Sequence, residues 1–169
     1  YTLTSGGISA NTVTRNGGAN WVVTSENEWY KAAYYDPTKI GGAGYWLYPT
    51  RSDSITTTDA NYGFVSQADV SYGLVNGYGT YGQGGSLLEW NEAIISGSGR
   101  GLRGGSWGYD EIYMQSSARL SNDATSEFNN FGFRVASLAA IPEPSTYAAL
   151  LGLAALGFAA YRRRRRQAG

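Results

Sequence analysis

The chain has 169 residues, enough for one domain and an appendage. It contains no Cys and no His, which excludes disulfides, thiol nucleophiles, Cys/His zinc sites and imidazole catalysis, and leaves carboxylates, Lys, Tyr, hydroxyls and oxygen-bound metals. The formal charge of zero joins two unlike parts: residues 1–141 hold eight Lys/Arg against twelve Asp/Glu, a net of −4 with no footprint for nucleic acid, and Arg162–Arg166 add five positive charges.

Residues 1–20 are polar and Gly-rich, with weak strand signals. Trp21-Val22-Val23 is a short apolar run. Ser25-Glu26-Asn27-Glu28 then has the spacing of a capping box, and predicts a helix over 26–35 with Trp29, Ala32 and Ala33 on one face. Asp36-Pro37 ends it. Gly41–Gly44 reads as a turn, and Tyr45–Pro49 as a short extended stretch. Residues 50–85 are mostly turn chemistry, with Asn61-Tyr62-Gly63 and Gly77-Tyr78-Gly79 as examples. Ser86–Ala93 fits a strand or one helical turn. Leu102–Trp107 reads as a strand broken by a glycine bulge, and Phe131–Ala136 as a final strand. Abundant rings spread through a Gly-rich body argue for an α+β domain with little regular structure and an aromatic core.

The composition breaks at Leu138–Ile141, so residues 1–137 are taken as the domain and 138–169 as a tail. Pro142-Glu143-Pro144 fixes an extended segment open to a protease. Residues 147–161 carry no charge, and Tyr147, Leu150, Leu151, Leu153, Leu156 and Phe158 surround a helix without a polar face. At roughly 1.5 Å per residue, fifteen residues span about 22 Å, short of the ~30 Å hydrocarbon core. With Ser145, Thr146 and snorkelling arginines the segment is expected to span. Arg162, Arg163, Arg164, Arg165 and Arg166 would then stay cytoplasmic, with the body outside. A helix buried in the domain core is the alternative, and the missing polar face argues against it. Pro-Glu-Pro-Ser-Thr, an apolar helix and terminal arginines together resemble the PEP-CTERM sorting signal. That resemblance implies cleavage near Pro142–Pro144 by an exosortase-type protease, and export to the bacterial cell envelope, cell surface or surrounding matrix.

Four segments of the body resemble the formylglycine-generating enzyme (sulfatase-modifying factor) family. They are Ser25–Ala33, Tyr78–Trp90 (YGTYGQGGSLLEW), Arg103–Trp107 (RGGSW) and Gly132-Phe133-Arg134. The resemblance implies a C-type-lectin-like fold with little regular secondary structure, and a domain that begins upstream, so that Tyr1 follows a missing N-terminal part. It also implies a copper-binding cysteine pair between the last two segments. Trp107–Phe131 has none, with Tyr109 and Met114 in that region, so no soft copper(I) site of the family type is expected. The resemblance further implies calcium, at Gly85, Leu87 and Glu89 with Ser86 in place of an Asn, and at Asn61 with the Tyr62 carbonyl and Asp69 as the nearest acidic partner. Read from chemistry alone, Glu89 suits calcium, an ion pair with Arg103 or Arg134, or solvent equally.

Two further groups invite a functional reading. Glu89 and Glu92 form a carboxylate pair for glycoside cleavage only if the geometry brings them together. Tyr34, Tyr35, Tyr45, Trp46 and Tyr48 suit sugar stacking or core packing. The reading these residues favour is an exported, membrane-anchored binding module for a protein or glycan, without formylglycine-generating activity. The alternatives are an enzyme of this fold with non-cysteine chemistry, and a structural component of the extracellular matrix.

Overall fold

In the computed structural model, which describes residues 1–138, Leu156 and Phe158, the polar N-terminal stretch holds a short helix, α1 (Ser5–Ser9). Thr4 caps it by accepting the Gly7 N–H at 3.0 Å. None of its residues is buried, so it has no apolar period by which the sequence would reveal it. Strand β1 (Trp21–Val23) leads into α2 (Glu26–Tyr34). The capping box forms as its spacing predicts: Glu28 N–H donates to Ser25 Oγ at 3.3 Å, and Ser25 N–H to Glu28 Oε2 at 2.7 Å. Arg15 holds the same carboxylate at 2.9 Å. Arg15 also donates to the Val23 carbonyl at 3.2 Å and to Glu92, which in turn accepts from Tyr1 Oη.

Helix α2 passes directly into β2 (Tyr35–Asp36), which pairs antiparallel with β3 (Gly44–Tyr45). The expected Tyr45–Pro49 strand is therefore shorter and begins one residue earlier. Residues 86–93 resolve as strand, not helix: β4 runs Leu88–Ser96. It pairs antiparallel with β5 (Gly99–Arg103), which pairs with β6 (Leu120–Asp123). Strand β5 stops at Arg103 because Gly104 and Gly105 take φ of 94° and 68°, a conformation that leaves the ladder. A 3-10 turn, Glu111–Met114, follows.

The last predicted strand is two strands. Strand β7 (Phe131–Phe133) adds parallel to β4, and β8 (Val135–Ser137) pairs antiparallel with β1. Arg134 is the single residue at which the chain changes sheets. Among the described residues the result is one four-stranded sheet in the order β6-β5-β4-β7 and two two-stranded ribbons.

Aromatic burial carries the core. Helix α2 buries Trp29, Ala33 and Tyr34, and a second cluster joins Tyr48, Ala60 and Met114. The Tyr34 hydroxyl links the two by donating to the Met114 carbonyl at 3.0 Å, and burial pushes its pKa up. Each ring of this kind hides roughly 150–250 Å², worth about 4–6 kcal/mol at ~25 cal/mol per Å². Tyr1–Ser137 form one compact unit and Leu138–Gly169 a second. Among the described residues no helix is long and apolar enough to cross a membrane. The expected 147–161 helix and Arg162–Arg166 lie outside the described residues, except for the helical positions Leu156 and Phe158.

Candidate functional site

Glu89 sits on β4 near the middle of the four-stranded sheet and is only 7% exposed. Buried carboxylates need donors, and this one has three. Trp29 Nε1–H, from α2, reaches Oε2 at 2.6 Å. Arg134 gives its Nε–H to Oε2 at 2.8 Å and an Nη2–H to Oε1 at 2.7 Å, a two-pronged guanidinium–carboxylate pair. Parallel pairing of Glu89 with Gly132 places Arg134 close by, and Nη2 also donates to the Tyr81 carbonyl at 3.2 Å. Of the partners open from sequence, Arg134 is the one observed. Arg103 turns instead to Glu26 and to the carbonyls of Ser116 and Ala118.

The other expected ligands gather at the same place. A cavity of about 380 Å³ is lined by Asn61, Asp69, Leu87, Glu89, Phe133 and Arg134, among others. Gly85 lies beneath Asn61: the two form a parallel bridge, and Ser86 N–H donates to Asn61 O at 2.8 Å. A Cβ on Gly85 would meet Asn61 O at 2.4 Å, so only glycine fits. Ser86 itself takes a left-handed φ of 60°.

Closeness does not make these groups a calcium shell. Calcium takes six to eight oxygens at about 2.3–2.6 Å. Here both Glu89 oxygens already accept N–H donors, with one guanidinium matching the charge. Gly85 O accepts Leu87 N–H, Asp69 Oδ1 accepts from Ser71 N and Oγ, and the Asn61 amide donates to Ser66 O. No group of three acidic, His or Cys side chains stands together among the described residues. The residues as arranged fit an internal ion pair, not a divalent ion.

The remaining candidates separate. Glu92 is held by Arg15 and Tyr1, and Glu89 by Arg134 and Trp29, so they do not form an acid–base pair. Of the five rings considered for stacking, Tyr34 and Tyr48 are buried in the core, Tyr35 and Trp46 are half-buried, and Tyr45 is exposed. Met114 is fully buried, and Tyr109 packs its ring on Tyr113 with centroids 4.9 Å apart. Sequence reading missed Trp29 as a partner of Glu89. The available signal was that a buried indole N–H needs an acceptor.

Comparison with known proteins agrees with this architecture. Residues 9–139 match the model of the sulfatase-modifying factor enzyme 1-like domain, and the chain belongs to that family. Residues 140–166 match the PEP-CTERM protein-sorting motif, so the domain carries the sorting signal of exported cell-envelope proteins, with the exosortase-type processing that the motif implies. Among solved structures, Treponema denticola variable protein 1 is similar at 26% identity and a TM-score of 0.55, over 70% of this chain and 48% of that one. CarF matches at 20% identity and a TM-score of 0.57, over 76% and 52%. PvdO from Pseudomonas aeruginosa matches at 21% and 0.53, over 70% and 52%. These last two show a shared fold alone. The chain spans about half the length of the solved proteins it matches. No curated protein matches it.

Proposed function

We propose that residues 1–137 are a non-catalytic, C-type-lectin-like binding module, exported and held at the membrane by the tail until an exosortase-type protease cuts near Pro142–Pro144. The ligand is a protein or a glycan. The observation that carries this reading is the lack of any Cys in the chain. The family resemblance implies a copper-binding cysteine pair within Trp107–Phe131, where this chain has rings and a buried Met114 instead. Without a thiolate, soft copper(I) has no ligand there and a substrate cysteine has no route to oxidation. The Glu89 site supports the same reading, since its carboxylate is spent on Arg134 and Trp29 and is not poised as a base. The test offers the purified protein a sulfatase-type cysteine peptide with copper and oxygen. Peptide mass should stay unchanged; aldehyde formation above the protein-free control would sink the reading.

A further inference from the structure

A second cavity, of about 380 Å³, lies beside β2 and is lined by Lys39, Trp46, Thr50, Arg51, Leu74 and Val75, among others. Its floor is built around Asp36, which is 0% exposed and accepts four hydrogen bonds. They come from Thr38 N at 2.8 Å, Thr38 Oγ1 at 2.7 Å, Trp46 Nε1 at 3.1 Å and Arg51 Nε at 3.0 Å. Those bonds, from Thr38 first, hold the Asp36 carboxyl far below the usual carboxylate range, so it stays charged and keeps Arg51 in place. Arg51 Nη2 also donates to Thr38 Oγ1 at 3.3 Å. The guanidinium is thereby fixed in plane, while 45% of the side chain remains open and Nη1 makes no hydrogen bond among the described residues.

Three features exceed what a structural ion pair needs. Arg51 takes a left-handed φ of 58°, which a glycine would adopt without strain. Thr50, only 6% exposed, is among the lining residues, and its buried hydroxyl has no partner among the described residues. Lys39 is held over the Trp46 ring at 3.9 Å and donates to Tyr45 O at 2.6 Å, so a second cation stands at the rim. Its carboxylate neighbour, Asp53, lies 3.9 Å away and is largely open to water.

A guanidinium oriented on one side presents its other edge to a planar oxyanion. The volume suits one sugar ring rather than a folded segment. Leu74 and Val75 offer an apolar wall to ring C–H groups. We propose that this cavity binds a uronate unit, its carboxylate on the free edge of Arg51 and its ring against Leu74 and Val75. The site is separate from the Glu89 cluster and stands whether or not the domain has an activity, so its failure and that of the binding-module reading are told apart by the aldehyde assay.

The experiment titrates the full chain in mild detergent with D-glucuronate, D-glucose, acetate and sulfate, by calorimetry and by shift in Tm. Glucuronate should bind and raise the Tm, and the other three should bind at least about tenfold more weakly. Arg51→Lys keeps the charge but loses the planar fork, and should weaken glucuronate about tenfold. No glucuronate binding up to about 10 mM overturns the proposal. So does acetate or sulfate binding as tightly as glucuronate, or Arg51→Lys binding it as the wild type does.

Discussion

The indole of Trp29 donates to the carboxylate of Glu89 at 2.6 Å, across 60 residues of chain, and so pins α2 to the centre of the main sheet. Arg134 closes the same carboxylate from the other side. Three elements thus meet at one buried charge. Glu89→Gln leaves Arg134 without its counter-charge, and should cost about 3 kcal/mol of unfolding free energy in urea titration. Arg134→Met should cost a similar amount, and the double variant clearly less than the two together. Additive losses would show that the pair is not coupled.

Calcium should have little effect. Because the Glu89 oxygens are filled by N–H donors, neither EDTA nor millimolar calcium should move the Tm by more than about 1 °C, well under the ~4 °C that 1 kcal/mol gives a domain of this size. A chelator-induced fall in Tm would mean that the carboxylate turns from Arg134 to a metal.

Gly85→Ala should be among the most damaging single changes. The residue has φ of 75°, and an added Cβ would lie 2.4 Å from Asn61 O. Strain and clash together should cost about 2–4 kcal/mol, read as a drop in the urea midpoint. Gly63→Ala is the control: φ is 68°, but nothing lies within 4 Å of the new carbon, so the loss should stay near ~1 kcal/mol.

Acid should loosen the N-terminal region. Arg15 holds the Glu28 carboxyl down to about 2, against an ordinary value of 4.5. A depressed folded-state pKa means that this stabilisation is complete above about pH 4.5 and is lost as pH falls towards 2. Glu28 is more than a third exposed, so screening limits the effect to about 1 kcal/mol. The Arg15→Gln variant should show a flatter pH dependence of Tm across that window. An unchanged slope would remove Arg15 from the account.

Processing should depend on the segment after the domain. In cells that carry an exosortase-type protease, replacing Pro142, Glu143 and Pro144 with Ala should leave the tail attached, seen as the uncut mass of the membrane-bound protein. Normal trimming of that variant would place the recognition elsewhere.

Much of the fold follows from local rules. The α2 cap was readable because Ser25 and Glu28 satisfy each other within one turn. The glycine pair at 104–105 reads as a bulge within a 102–107 strand, whereas it ends a strand that runs Gly99–Arg103. What sequence could not show was non-local. Phe131–Ala136 alternates without interruption, yet Arg134 divides it between two sheets, because its side chain is drawn to Glu89, 45 residues earlier. Likewise, the residues set out as calcium ligands do converge on one cavity, but sequence could not tell which partner Glu89 would find first. The Asp36–Arg51 cluster went unread because its logic is a left-handed backbone and an orphan hydroxyl, neither visible as a pattern.

The pairing of Trp21–Val23 with Val135–Ser137 also sets a schedule. A ribosome delivers β8 last, so β1 waits through the synthesis of nearly the whole body before its ladder can form. The sorting motif begins at residue 140, three positions after that strand ends. The strand that closes the fold and the address label are therefore neighbours in sequence. A chain cut short before its final strand also lacks the signal by which it would be handed on, so a truncated body is not sorted.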